Sequence, residues 1–105
     1  MKHLKTFEHI LSKPDNYPTK GDYVILSNEE GYYLLHIIDS KMNSTYENSS
    51  VISSVDLIDN MYISILYNYV TGDYYMPKNK IFTFHWKGKT LKEAEQKLEL
   101  IKYNI

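Results

Sequence analysis

The spacing of apolar residues changes several times along this chain, and each change marks an element. Residues 2–12 carry Leu4, Phe7, Ile10 and Leu11 three and four apart, which predicts a short amphipathic helix. Lys13-Pro14-Asp15-Asn16-Tyr17-Pro18 ends it. After the turn signal Lys20-Gly21-Asp22, the pattern becomes that of strands. Strands are predicted over about 22–27, 32–39, 51–57, 61–69 and 74–86. Tyr32, Leu34, His36 and Ile38 alternate with Tyr33, Leu35 and Ile37, so this strand is apolar on both faces. Such a strand belongs to a curled sheet or to one covered by helices. Residues 40–50, rich in serine and asparagine, read as a surface loop. Pro77 interrupts the last strand region and fits an edge or a bend. The spacing of Leu91, Ala94, Leu98 and Ile101 predicts a helix over 90–103, opened by a capping box from Thr90 to Glu93.

These elements describe one domain, 1–105, in the α+β class and mainly β. The expected architecture is a small antiparallel barrel or a strongly bent five-stranded sheet, with an N-terminal and a C-terminal helix. No apolar run reaches the roughly 20 residues of a membrane span. The N-terminus lacks a signal-peptide pattern, so a cytoplasmic protein with no membrane association is expected.

Composition narrows the chemistry. Cysteine is absent and all 12 basic residues are lysine, which excludes disulfides, thiolate sites and arginine forks. A formal net charge of -1 argues against a general phosphate-backbone binder. The bias toward tyrosine, asparagine, isoleucine and lysine is compatible with an adenine- and thymine-rich genome and with a phage or mobile-element origin. His3, His9, His36 and His85 show no metal-ligand spacing, so no metal and no cofactor are expected. Asp22, Asp39, Asp56, Asp59 and Asp73 sit at strand ends, where aspartates cap backbone groups. No nucleophile elbow and no phosphate-binding glycine loop occur, and the chain reads as a non-enzyme.

Segment Lys20-Gly21-Asp22-Tyr23-Val24-Ile25-Leu26 resembles the opening of SH3-like barrels of the Tudor, PWWP and KOW kind. Residues 31–39 are similar to their second strand, and residues 74–81 to their last hairpin arm and 3₁₀ exit. The resemblance covers residues 20–82 and implies a binding module for peptide or nucleic acid.

The 11 tyrosines are the main functional lead. Adjacent tyrosines on a strand face opposite ways, so the pairs Tyr32-Tyr33 and Tyr74-Tyr75 are expected to expose some rings. Together with Tyr62 and Trp86 they form a candidate surface for a protein partner or a second copy of the chain. An edge strand left open by an incomplete barrel is a further candidate for pairing. The alternative is a nucleic-acid contact through Lys78, Lys80, Lys87, Lys89 and Lys92, with Trp86 or Tyr75 stacking on a base. A third reading is a small metal-independent hydrolase. The leading expectation is a small non-enzymatic interaction protein, a modulator or inhibitor of a protein partner.

Overall fold

The computed structural model describes residues 15–42, 48–78 and 80–103. The helix expected over 2–12 lies outside them. Seven strands follow in order: β1 Tyr23–Asn28, β2 Gly31–Met42, β3 Ser49–Asp56, β4 Met61–Asn68, β5 Asp73–Met76, β6 Lys80–Ile81 and β7 Thr83–Gly88. Helix α1, Leu91–Tyr103, closes the described chain. All strand pairs are antiparallel, in the order β6-β5-β4-β3-β2-β1-β7. The sheet curls into a half-barrel, and Phe82 N–H donates to the Tyr74 carbonyl at 2.8 Å, where the two sheet edges approach.

The count is seven rather than five because the region 74–86 breaks twice. Pro77 brings no backbone donor, and Lys78 takes a φ of 74°, so the chain turns back on itself. Phe82 then leaves β6 and carries the chain to the opposite sheet edge, where β7 pairs with β1. The expected loop over 40–50 is shorter than its polarity implied, since Ser40–Met42 continue β2 and Ser49–Ser50 begin β3. Serines enter β3 because their hydroxyls find partners. Ser54 donates to the Ile63 carbonyl at 3.0 Å, and Ser49 shares a 2.6 Å bond with the Tyr75 hydroxyl.

Both sheet faces are covered near β1, which explains its unbroken apolar run. Val24 and Leu26 point into the barrel with Leu35, Ile37, Ile52 and Ile65. Ile25 and Leu34 face outward, against Ala94. Leu98 and Ile101 extend this contact over Tyr23, Tyr32 and Trp86. The helix starts where expected: the Thr90 hydroxyl accepts from Glu93 N–H at 3.3 Å and donates to the Glu93 carboxylate at 2.9 Å. Gly88 leaves room for the Trp86 ring, which a Cβ at that position would strike.

Two tyrosines complete the interior. The rings of Tyr67 and Tyr74 meet edge-to-face, 4.8 Å apart, and Phe84 stacks on Tyr74. Burial raises the pKa of both phenols, and the neighbouring Tyr17 and Asp73 reinforce this at Tyr67. A raised folded pKa means these rings contribute stability below the ordinary phenol pKa of 10.0, and that contribution falls as pH rises above it. A spectrophotometric alkaline titration is expected to show two phenols that ionise only as near-ultraviolet dichroism collapses. Reversible ionisation of every tyrosine with the fold intact would contradict this placement.

Candidate functional site

The two ends of the half-barrel differ in chemistry. One end is sealed by residues 15–22. The Asn16 side chain accepts from the Tyr67 hydroxyl at 2.6 Å and donates to the Gly72 carbonyl at 2.7 Å. The Asn16 main-chain carbonyl accepts from the Tyr74 hydroxyl. Tyr17 lies edge-on to Tyr67, and Pro18 is buried. Beside this plug stands Asp22, with no solvent exposure. Its carboxylate takes Lys89 Nζ at 2.5 Å, Thr19 N–H at 2.9 Å and Lys87 Nζ at 3.3 Å. Burial by itself raises a carboxyl pKa, but these donors outweigh it and hold Asp22 below the usual value. The buried carboxylate at this end is therefore satisfied internally.

At the other end gather the β1–β2, β3–β4 and β5–β6 turns, as antiparallel connectivity requires. The sheet edges separate there and leave a cleft of about 600 Å³. Tyr33, Ile63, Met76 and Phe82 form its apolar floor, continuous with the barrel interior. Glu29 and Glu30 stand on one wall, and Lys80 and Ile81 on the other. Ile81 is 60% exposed.

The β3–β4 hairpin tip lies at this same end. Leu57, Ile58, Met61 and Tyr62 are 37%, 41%, 61% and 82% exposed. Met61 and Tyr62 face opposite sides of β4, so neither side of the tip is covered. The turn is held firmly. Asp56 Oδ1 accepts from Leu34 N–H at 3.3 Å and Ile58 N–H at 3.1 Å, and Leu57 N–H donates to the Leu34 carbonyl at 2.8 Å. Asn60 supplies the left-handed turn residue, with a φ of 59°.

The expected tyrosine surface is largely absorbed into the fold. Tyr74 is core, which removes it as a surface residue. Tyr32 and Trp86 pack under α1. Tyr33 lies half-buried on the cleft floor, its ring edge-on to Phe82. Tyr75 is half-buried on the outer face and bonded to Ser49. Of the six aromatic candidates, Tyr62 alone is fully open.

The lysines do not share a face. Lys87 and Lys89 engage Asp22 at the sealed end, Lys78 and Lys80 stand at the open end, and Lys92 belongs to the first turn of α1. Trp86 cannot stack on a base while it lies beneath α1.

Three features escaped the pattern-based reading. The hairpin tip had a visible signal, since Leu57 and Ile58 directly precede a turn, where no strand partner can cover them. Asn16 had none, because its partners lie 51 to 58 residues away. The third is the 2.7 Å hydrogen bond between Ser27 Oγ and His85 Nε2, at the bulge of the β1–β7 pair. No described carboxylate holds the other ring nitrogen, so the pair lacks the group that orients a general base. Among the described residues, no cluster of three histidines or carboxylates is placed to hold a metal. No described helix is long and apolar enough to cross a membrane. Comparison with protein families, curated proteins and solved structures returns no match.

Proposed function

We propose that this is a small interaction protein that binds a protein partner through the open end of its half-barrel, without catalysing a reaction on it. The observation that carries the reading is the hairpin tip, where Leu57 and Ile58 on the turn and Met61 and Tyr62 at the start of β4 are all exposed about a turn braced by Asp56. Single exposed apolar residues are ordinary, whereas several large ones gathered on both sides of one hairpin tip point to an interaction surface. Bracing matters energetically, because a rigid tip loses little conformational entropy on binding. Tyr62 has the properties of an interface anchor, a large ring with only two side-chain torsions. The separation of the lysines withdraws the main support for a nucleic-acid contact, and at the sealed end Lys87 and Lys89 are drawn to the Asp22 carboxylate.

The test is capture of a partner by the immobilised protein, compared with a Met61→Ser/Tyr62→Ser variant. Both side chains are solvent-exposed, so the variant is expected to keep its stability within about 0.5 kcal/mol. If the two act as central anchors, affinity falls by on the order of 100-fold or more. Equal capture by both proteins would remove the tip from the interface.

A further inference from the structure

We propose that the cleft beside the hairpin tip receives an extended segment of the protein partner, with an apolar side chain next to a lysine or arginine. The proposal rests on the protein-binding reading and adds the chemistry of the bound segment. Its floor, Tyr33, Ile63, Met76 and Phe82, offers an apolar socket at the mouth of the barrel. A volume of about 600 Å³ accommodates a large side chain and part of its backbone. Glu29 and Glu30 set the charge preference. Both are exposed and neither forms an ion pair among the described residues. The turn that carries them is fixed, with Glu30 N–H donating to Asn28 Oδ1 at 2.8 Å. A cation flanking the apolar anchor meets these carboxylates at the rim, where solvated charges steer and select a partner.

The opposite wall favours an extended backbone. Strand β6 pairs only with β5 among the described residues, and Lys80 and Ile81 are both exposed. Its outer edge can therefore hydrogen-bond an added strand. Two residues make a short edge, so the pairing sets direction while the socket supplies most of the affinity. Lys80 also has no ion pair among the described residues and disfavours a second cation on that side.

The folded protein can be challenged with a displayed library of random heptapeptides, and the selected consensus peptide then titrated calorimetrically. The expected consensus holds a large apolar residue within two positions of lysine or arginine. A Glu29→Lys/Glu30→Lys variant is expected to bind that peptide about tenfold more weakly, with a smaller salt dependence and an unchanged melting temperature. Ile81→Asp is expected to weaken it as well. An acidic or purely polar consensus, no consensus, or indifference to charge reversal would overturn the proposal. So would a dimer of the protein that Glu29→Lys/Glu30→Lys dissolves, since the occupant would then be a second copy. Met61→Ser/Tyr62→Ser separates the two readings. If it abolishes partner capture while the library yields nothing, the cleft proposal fails and the hairpin-tip reading stands.

Discussion

Replacing Asp22 with alanine is expected to destabilise the protein by about 2–4 kcal/mol in denaturant titration at neutral pH. The carboxylate is fully enclosed and gathers Lys89, Thr19 N–H and Lys87 around one point. Removing it leaves the Lys87 ammonium, whose side chain is 21% exposed, without its counter-charge. Lys89 is 72% exposed and can return to water, which keeps the loss below that of a fully buried pair. The pH dependence has a definite sign. Asp22 has a depressed folded pKa, so its contribution is present above the ordinary value of 3.8 and fades as pH falls through the folded value. Wild type and variant should therefore differ most near neutrality and converge in acid. A constant difference down to strong acid would mean that the ion pairs contribute little and that packing accounts for the loss.

Asn16→Ala is expected to cost about 2–3 kcal/mol, although the residue lies in an irregular segment. Its amide oxygen is the acceptor for the buried Tyr67 hydroxyl, and its amide nitrogen holds the Gly72 carbonyl of the β4–β5 turn. Truncation leaves a buried donor unsatisfied, and this costs more than the net worth of the bond itself. Asn16→Asp is the informative companion. It keeps an acceptor for Tyr67 but sets a carboxylate against the Gly72 carbonyl, so it should not rescue stability. A double variant with Tyr67→Phe should lose less than the sum of the single changes, because both single variants break the same Tyr67–Asn16 bond. Strict additivity would mean that the two residues are not coupled.

Much of the architecture is legible in residue order. The turn at Gly21-Asp22, the alternation in β2 and β4 and the capped stripe of α1 each follow from local patterns. Local pattern fails where a distant partner reverses a preference. Serine disfavours burial, yet Ser50 and Ser54 enter β3 because Met42 sulfur and the Ile63 carbonyl accept from their hydroxyls. The tyrosine argument fails for a related reason. Tyr32 and Tyr33 do belong to opposite faces, but α1 packs over one and Phe82 against the other. Opposite faces imply exposure only for a sheet covered on one side. The lysines show the same limit, since proximity in sequence could not reveal that Asp22 draws Lys87 and Lys89 to the sealed end. The open-end surface comes instead from residues at or next to turns, where the sheet ends and apolar side chains such as Leu57, Ile58, Met61 and Tyr62 stay exposed.

The most direct measurement is to titrate the captured partner into isotope-labelled protein and map the perturbed amides. The binding account predicts that perturbations centre on residues 57–62 and extend to Glu29, Glu30, Lys80 and Ile81, while Asn16, Asp22, Lys87 and Lys89 stay unchanged. Perturbations centred on the Asp22 end or on α1, or a footprint produced by nucleic acid instead of protein, would contradict it.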